Sequence, residues 1–213
     1  MSGAPQSWTE IARWRRDRRQ EFQAARAALS LAEHRAKSAA VAAGLEPFAA
    51  LLAARRVGIY WPIRREFDPL PYARRLIDAG GRVALPVVVA QGQPLQFRDW
   101  APGARLASGA WDIPYPAEGE AVTPEALIVP LLGFDEAGYR LGYGAGFYDR
   151  TFAAFAAKPF AIGVGFELGR LATLYPQPHD IAMDRIVTEA GVFAVAAGNL
   201  LAIEGTGLKP NGG

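Results

Sequence analysis

The sequence contains no cysteine and only two histidines, His34 and His179. Without cysteine, the chain has no disulfide framework, no thiolate zinc site and no cysteine nucleophile. Two histidines are too few for a histidine-rich metal cage.

Long apolar runs are also missing, since no segment reaches the roughly 18 consecutive apolar residues that span a membrane. The first residues, MSGAPQSWTE, lack the charged-then-apolar layout of a signal peptide. At the same time, 51% of the 213 residues are hydrophobic, which excludes a disordered chain and supplies a substantial core. These features predict a cytoplasmic protein that does not enter a membrane.

Positive charge is concentrated near the N-terminus. Residues 8–37 carry eight Lys or Arg against four Asp or Glu, whereas the whole chain has a net charge of only +2. Ser7 and Glu10 have the spacing of a capping box, which predicts a helix that begins near Trp8.

Four arginines of this helix lie on or beside its apolar face. At 100° per residue, Arg15 and Arg18 fall within the apolar stripe, and Arg19 and Arg26 fall at its edge. The stripe itself consists of Ile11, Phe22, Ala25 and Leu29. Arginines on such a face either extend past it into water or bind an anion. The helix is therefore either a solvated basic face or a wall that contacts phosphates, of a nucleotide or of a nucleic acid.

Strand-like and helix-like segments alternate along the rest of the chain. The N-terminal helical pattern continues to Ala43 and ends at Gly44, and Asp68 with Pro69 begins a further helix that ends at Ala79. Residues 147–157 form another helix, and residues 101–126 a long surface connection. The predicted strands are 57–62, 82–89, 94–100, 127–134 and 160–166, with a hairpin between the second and third.

This alternation predicts an α/β fold with a mostly parallel central sheet and helices on both faces. No internal repeat and no long linker divides the chain. We therefore expect a single three-layer domain over residues 1–205, followed by a flexible C-terminal tail over 206–213.

The segment most informative about function is residues 133–152, GFDEAGYRLGYGAGFYDRTF, which follows a buried strand and begins a helix. Gly142, Gly144 and Gly146 alternate through it, so that the backbone can approach a ligand closely. The N-terminus of the following helix favours phosphate, and Arg140 can pair with phosphate oxygens. The pattern is neither the dinucleotide-binding fingerprint nor a Walker loop, because no third glycine occurs at Phe147 and no Gly-Lys-Ser/Thr is present.

The order of these residues resembles the signature of the 5-formyltetrahydrofolate cyclo-ligases, or methenyltetrahydrofolate synthetases. That signature is Arg-Leu-Gly, a variable residue, Gly, a variable residue, Gly, two aromatic residues and Asp-Arg, and here it is RLGYGAGFYDR. Three further blocks are similar to the family: YWPIRREFD (60–68), IVPLLGFD before the signature, and HDIAMDRIVTEAGV (179–192).

The resemblance implies an enzyme that uses ATP and Mg²⁺ to convert 5-formyltetrahydrofolate to 5,10-methenyltetrahydrofolate, ADP and phosphate. The formyl oxygen would take the γ-phosphoryl group, N10 would attack the activated carbon, and phosphate would leave. Phosphoryl transfer requires positioning and charge neutralisation rather than a covalent protein nucleophile, which agrees with the absence of cysteine. The expected partners are a reduced folate and ATP, with no nucleic acid and no membrane, and the expected state is a monomer.

The resemblance also implies roles for individual residues. Asp149 and Asp180 would hold Mg²⁺, with Asp184 as the alternative to Asp180, and Arg140 and Tyr148 would take part in catalysis. Folate would contact Trp61, Glu66, Tyr143 and Tyr148. His179 is expected to be structural. The residues expected to bind ATP are Arg15, Arg19, Arg140, Leu141, Gly142, Tyr143, Gly144, Ala145, Gly146, Phe147 and Tyr148.

Three positions depart from the family pattern. The family usually has Lys at Arg15 and Gly or Lys at Ala145, and both changes are mild. At residues 112–116 the sequence DIPYP places Tyr115 where the family has Glu. This change leaves open an alternative, a folate- or nucleotide-binding paralogue with little turnover. A nucleic-acid-binding protein is a second alternative, but the excess of positive charge ends at residue 37 and no such motif is present.

Overall fold

The structure, a computed structural model, describes residue 5 and residues 7–203. The predicted tail over 206–213 lies outside these residues. Within them, five α-helices are formed: α1 Trp8–Ala28, α2 Leu31–Leu45, α3 Ala49–Ala53, α4 Leu70–Asp78 and α5 Phe147–Ala154.

Strands account for most of the remaining regular structure. The first seven are β1 Arg56–Gly58, β2 Arg82–Val87, β3 Gln96–Trp100, β4 Leu106–Ser108, β5 Pro114–Pro116, β6 Ala121–Val122 and β7 Ala126–Pro130. The next seven are β8 Gly133–Asp135, β9 Arg140–Leu141, β10 Phe160–Val164, β11 Arg170–Leu171, β12 Arg185–Thr188, β13 Gly191–Ala196 and β14 Asn199–Ala202.

A nine-stranded sheet forms the centre of the described chain, in the order β14-β13-β12-β10-β7-β1-β2-β3-β6. Its five central strands, from β12 to β2, run parallel, and the strands at both edges are antiparallel. The predicted α/β fold with a parallel central sheet is therefore confirmed, as is the hairpin between β2 and β3. Two smaller sheets, β11-β8-β9 and β4-β5, lie outside the central one.

Helices cover both faces of this sheet, because successive residues of each strand point to opposite sides. One face carries α2, α3 and α4, which contribute Val41, Leu52 and Leu76 to a buried cluster with strand residues such as Ile128. The other face carries α5, whose Phe152 packs against Leu127 and its neighbours. Burying each large apolar side chain stabilises the fold by about 1.5–3 kcal/mol.

The prediction of one continuous N-terminal helix was wrong, because the helix is interrupted at Leu29 and Ser30. Ser30 and Glu33 form a second capping box: Ser30 Oγ accepts from the Glu33 N–H at 3.2 Å, and Glu33 accepts from the Ser30 N–H at 2.8 Å. Gly44, predicted as the C-cap, lies inside α2. A Cβ added there would lie 2.6 Å from a methyl group of Val187, so the glycine permits close contact between helix and sheet.

Other predicted boundaries were also displaced. The segment 101–126 is not a plain connection, since it contains the β4–β5 hairpin and β6. The strand predicted over 57–62 ends at Gly58, and the strand predicted over 127–134 divides into β7 and β8. The helix predicted over 147–157 ends at Ala154. At the start of α4, Asp68 accepts a hydrogen bond from the Leu70 N–H at 2.9 Å, as expected for a capping residue.

The stretch Leu31–Ala53 is long and apolar enough to cross a membrane by length and composition alone. A helix that covers the sheet of a folded domain passes the same test. Here a short 3₁₀ turn, Glu46–Phe48, interrupts the stretch, and its large apolar residues Val41, Leu45, Phe48 and Leu52 are buried in the core. The stretch is therefore weak evidence for a membrane span.

Candidate active site

A cavity of about 700 Å³ lies beyond the carboxyl ends of the parallel strands. Tyr60 and Trp61 follow β1, Val88 follows β2, and Pro130 ends β7; all four line the cavity. Further walls come from α1, the glycine turn before α5, and residues 178–181. This edge of an open parallel sheet is where α/β proteins generally bind ligands.

The glycine turn forms one wall, and two of its glycines are required by the backbone. Gly144 has φ of 99° and Gly146, which precedes α5, has φ of 66°, both in the left-handed region that favours glycine. Gly142 lies outside that region, and a Cβ added to it would meet nothing within 4 Å. The turn thus brings the backbone of 142–146 and the N-terminus of α5 to the cavity.

Helix α1 forms a second wall, and Arg15 faces inward from it. The Arg15 guanidinium donates to the Leu174 carbonyl at 2.9 Å, to the Tyr175 carbonyl at 3.0 Å and to Asp180 at 2.6 Å. Its exposed fraction is 7%, whereas the side chain of Arg16 is 64% exposed. The predicted position of Arg15 on the inward face of the helix is therefore confirmed.

The other arginines of α1 follow a slightly different face from the predicted one. Arg19 donates to the Gly142 carbonyl at 2.8 Å and lies over Gly144. Burial and the charge of Arg15 lower the pKa of Arg19, so that an anion bound here would favour its charged form. Arg18 instead pairs with Glu21 on the same helix. Ala25, placed in the apolar stripe, is exposed, and Arg26 is buried in its place.

Asp149 and Asp180 both line the cavity, and each is paired with an arginine. Arg140 contacts Asp149 at 2.9 Å, and Arg15 contacts Asp180 at 2.6 Å. Burial lowers the pKa of Arg140, whereas the charges of Asp149 and, more weakly, Asp180 raise it, which places both carboxylates in the electrostatic environment of one guanidinium. Burial tends to raise the pKa of Asp180, but the hydrogen bonds from Arg15 and the Gln177 N–H outweigh it and hold that pKa below its usual value.

These two carboxylates fit a magnesium ion better than other metals. Among residues 7–203 no three His, Asp or Glu side chains gather into a metal-binding cluster. Mg²⁺ commonly takes one or two protein carboxylates and completes its coordination with water and substrate phosphates, so two suffice. Asp184 is not part of this arrangement, because it accepts from the Ala161 N–H at 2.7 Å and from Lys158 at 2.9 Å, away from the cavity lining.

Glu66 lies in another wall of the cavity and is 6% exposed. One of its oxygens accepts from the Tyr143 hydroxyl at 2.9 Å and the other from the Ile63 N–H at 2.9 Å. Each oxygen keeps a further lone pair for a ligand. Burial raises the pKa of Glu66, and the Ile63 N–H, the Arg26 charge and the Tyr143 hydroxyl oppose that rise. Trp61 lines the cavity and is half-buried.

Tyr148 projects into the same space, and its hydroxyl is buried without a hydrogen-bond partner among the described residues. The Arg140 guanidinium lies 5.6 Å from its ring centre. Burial, with the nearby charge of Glu66, raises the pKa of Tyr148, so the hydroxyl is a proton donor at neutral pH. A buried donor without a partner in the free protein is suited to a ligand atom.

The sequence interpretation assigned no site role to two tryptophans that line the cavity or to one arginine that lies behind the lining. Trp111 adopts a left-handed backbone, is 64% exposed and meets Phe147 edge-on at 5.7 Å between ring centres. Trp8 meets His179 edge-on at 5.9 Å. Arg26 lies behind Tyr143. Nothing in the sequence predicted the bend at Trp111, whereas the buried position of Arg26 was one residue from the predicted stripe.

Two residues that the sequence interpretation questioned have ordinary surroundings. Tyr115 lies in β5, beneath the Arg98 guanidinium at 5.9 Å, and does not line the cavity. The His179 side chain is 64% exposed and lies 3.9 Å from Asp180 at the cavity edge. The departure at Tyr115 therefore does not lie in the cavity lining.

Comparison with known proteins gives one consistent result. The model of the 5-formyltetrahydrofolate cyclo-ligase family matches residues 11–189. A Mycolicibacterium smegmatis protein named 5-formyltetrahydrofolate cyclo-ligase is 35% identical over 156 residues, which cover 68% of this chain and 79% of that protein. The Escherichia coli K12 protein of the same name is 32% identical over 148 residues, 66% of this chain and 81% of its own.

Solved structures agree. The NMR structure of the Aquifex aeolicus 5,10-methenyltetrahydrofolate synthetase has 30% identity and a TM-score of 0.74, and the match covers 89% of this chain and 96% of that one. A Mycoplasma pneumoniae 5,10-methenyltetrahydrofolate synthetase, 20% identical with a TM-score of 0.68, shares the fold over 82% of this chain and 98% of its own. The signature turn, the fold and these matches together show that the chain belongs to the 5-formyltetrahydrofolate cyclo-ligase family.

Proposed function

We propose that this chain catalyses the ATP- and Mg²⁺-dependent cyclisation of 5-formyltetrahydrofolate to 5,10-methenyltetrahydrofolate, with release of ADP and phosphate. The observation that carries the proposal is the single cavity that contains an anion-binding wall, two carboxylates and a buried glutamate beside tyrosines. These are the groups that a nucleotide, a metal ion and a pterin ring require.

The anion-binding wall would hold the triphosphate. Arg19 has no carboxylate within ion-pair distance among the described residues, so its charge is available for phosphate. It lies over the backbone of Gly144, next to the N-terminus of α5. Arg140 adds a second guanidinium, and backbone N–H groups in the left-handed turn provide further donors.

Asp149 and Asp180 would hold the magnesium ion of the nucleotide. When bound, the ion neutralises charge on the phosphate oxygens during transfer. Arg140 and Arg15, which pair with these carboxylates in the free protein, fix their orientation before the ligand arrives. Most N–H donors of Arg15 already bind carbonyl or carboxylate oxygens, so the clearest role of Arg15 is to hold Asp180 in place.

The buried glutamate would orient the folate. Glu66 accepts hydrogen bonds from the N–H groups of the pterin ring, while Trp61 provides apolar contact. The formyl oxygen attacks the γ-phosphorus and the bond to ADP breaks; N10 then attacks the formyl carbon, loses its proton, and phosphate leaves with the formyl oxygen. The Tyr148 hydroxyl is free to donate to an oxygen of the reacting group, and Arg140 to stabilise its negative charge.

Nucleic acid is a poorer ligand for the basic helix than a small anion. Arg15, Arg19 and Arg26 face the interior or the cavity, and Arg16 and Arg18 pair with acidic neighbours. The exposed arginines of α1 are Arg13 and Arg16, and Arg16 is already paired with Asp17, so an extended phosphate backbone would meet few free charges there.

The test is the appearance of methenyltetrahydrofolate absorbance when purified protein meets 5-formyltetrahydrofolate, ATP and Mg²⁺. ADP is measured in the same reaction, and one ADP per methenyl product is expected. ADP without methenyl product, or binding of both substrates with no turnover, would reject the proposal and favour the binding paralogue.

A further inference from the structure

Arg26 is a buried cation to which the reaction above gives no role. Its exposed fraction is 3%, although it belongs to the mostly exposed helix α1. No carboxylate of the described residues lies within ion-pair distance of it. Burying an unpaired charge is costly, so a group that compensates for it must lie nearby.

The compensating group is Glu66, which Arg26 reaches through Tyr143. The Arg26 guanidinium donates to the Tyr143 hydroxyl, and that hydroxyl donates to Glu66 at 2.9 Å. An ionised carboxylate only accepts hydrogen bonds, so the single proton of the hydroxyl is donated to Glu66 while its oxygen accepts from Arg26. The guanidinium also lies 6.0 Å from the centre of the Tyr143 ring. This cation–hydroxyl–carboxylate series is directional, and both of its hydrogen bonds are partly buried.

Tyr143 occupies the variable position between the first two glycines of the signature, and Arg26 lies outside the signature on α1. The fixed residues of the signature therefore do not specify this arrangement.

We infer that Arg26 is a positioning residue that keeps Glu66 ionised and correctly oriented, through Tyr143, to accept the paired N–H groups of a pterin ring. This inference rests on the proposed function, in which Glu66 binds the folate. When Glu66 is ionised, each of its oxygens has a lone pair left for one N–H of the ring. Protonation removes one of these acceptor sites, so folate affinity depends on the charge of Glu66.

The charged and titratable groups around Glu66 favour this role. Burial raises the pKa of Glu66, and the Ile63 N–H, Arg26, the Tyr143 hydroxyl and Arg64 lower it, in that order. Arg64 lies on the solvent side, bound to Gln23, with its guanidinium 5.3 Å from the Tyr143 ring centre. Burial raises the pKa values of the Tyr60 and Tyr148 hydroxyls, so both side chains stay neutral. Arg26 is thus the buried positive charge that faces Glu66.

The experiment measures the affinity for 5-formyltetrahydrofolate, by calorimetry without ATP, in Arg26→Met and Arg26→Lys from weakly acidic to weakly alkaline pH. Removing the charge raises the pKa of Glu66, so binding is lost at a higher pH than in the unaltered protein. If the pH at which binding is lost rises by one unit, the affinity below that pH is about tenfold weaker than in the unaltered protein. Affinity returns to the unaltered value at alkaline pH, and Arg26→Lys shows a smaller displacement.

Two further variants serve as controls for this experiment. Arg16→Met removes an exposed charge from the same helix and should leave the profile unchanged. Tyr143→Phe removes the hydroxyl but keeps the Arg26 charge, and it should weaken folate binding with a smaller displacement; it also tests the inference if Arg26→Met fails to fold.

An affinity that falls equally at every pH, or does not fall at all, would overturn the inference. An arginine with a purely structural role would not change the pH at which folate binding is lost. Failure of the proposed function is a different observation. If the unaltered protein binds folate but forms no methenyl product, the cyclisation is rejected while the binding profiles still decide the role of Arg26.

Discussion

Arg140 and Asp149 form an ion pair of 2.9 Å inside the cavity, and the Arg140 side chain is only 5% exposed. Asp149 also accepts a hydrogen bond from the Ile181 N–H at 3.4 Å. The carboxylate predicted to bind magnesium is thus held in place by a cation and a backbone N–H. In the proposed complex, magnesium would take the place of Arg140 beside Asp149, and phosphate would take the place of Asp149 beside Arg140. Both side chains would therefore keep an opposite charge.

Asp149→Asn should lower turnover by orders of magnitude and raise the Mg²⁺ concentration required for half-maximal activity. The amide removes a metal ligand and leaves the buried Arg140 without its counter-charge. Activity titrated against Mg²⁺ measures the effect. Asp184→Asn is the matched control: it should lower the free energy of unfolding, since Asp184 holds the Ala161 N–H, but leave the Mg²⁺ dependence unchanged. An Asp184→Asn enzyme with the greater Mg²⁺ defect would contradict this assignment.

Arg15→Ala should lower the free energy of unfolding by about 2–3 kcal/mol, because it removes four hydrogen bonds and leaves Asp180 unpaired. ATP affinity should fall as well, since Asp180 loses its orientation. Arg16→Ala should change neither, as a solvated charge contributes little. Arg15→Lys should restore activity only in part, because an ammonium cannot contact Leu174, Tyr175 and Asp180 in the same fork. Denaturant unfolding and the KM for ATP give the two readouts, and equal small effects of both alanine changes would be the contradictory result.

Tyr148→Phe should reduce turnover and yet leave the free energy of unfolding unchanged or slightly higher. The reason is that the buried hydroxyl has no partner among the described residues, so the free protein loses nothing when it is removed. Thermal unfolding without ligands and kcat with both substrates distinguish the two effects. A clearly destabilised Tyr148→Phe protein would show that the hydroxyl is bound within the fold.

Gly144→Val should weaken ATP binding much more than it weakens the fold. A side chain there is strained by about 1–2 kcal/mol at positive φ and would also lie close to the Arg19 guanidinium, 3.3 Å from an added Cβ. Gly103→Val is the matched control, because Gly103 also has positive φ, 87°, but an added Cβ meets nothing within 4 Å. Calorimetric titration with the Mg²⁺ complex of ATP should separate the two variants; similar ATP affinities in both would make the turn purely structural.

Much of the fold could be predicted because its signals are local. Alternating strand and helix patterns gave the parallel sheet, and the Ser7–Glu10 spacing gave the start of α1. The break after α1 used the same spacing, Ser30 and Glu33, but the apolar pattern continued through it and concealed the boundary. The β4–β5 hairpin was missed because its short strands are rich in proline and alanine, and pairing across a sheet edge overrides such weak preferences.

The candidate site was predictable to the extent that its residues are adjacent in the signature. The family resemblance also placed Arg15, Glu66 and Asp180 in the site, but which side chains pair across distant parts of the chain could not be predicted. A helical-wheel argument placed Arg26 at the edge of a stripe, but only the packing of α1 shows that Arg26 rather than Ala25 is buried. The left-handed bend at Trp111 depends on hairpin geometry, which no local pattern specified.

The cavity walls meet across large separations along the polypeptide: 165 residues between Arg15 and Asp180, and 117 between Arg26 and Tyr143. Bringing together residues so far apart costs more loop-closure entropy than forming local contacts. During synthesis the buried arginines of α1 leave the ribosome long before the carboxylates and hydroxyl that will receive them. In the finished protein α1 is fastened largely by those same side chains, so its detachment would dismantle the ligand-binding wall while the core of the sheet remained folded.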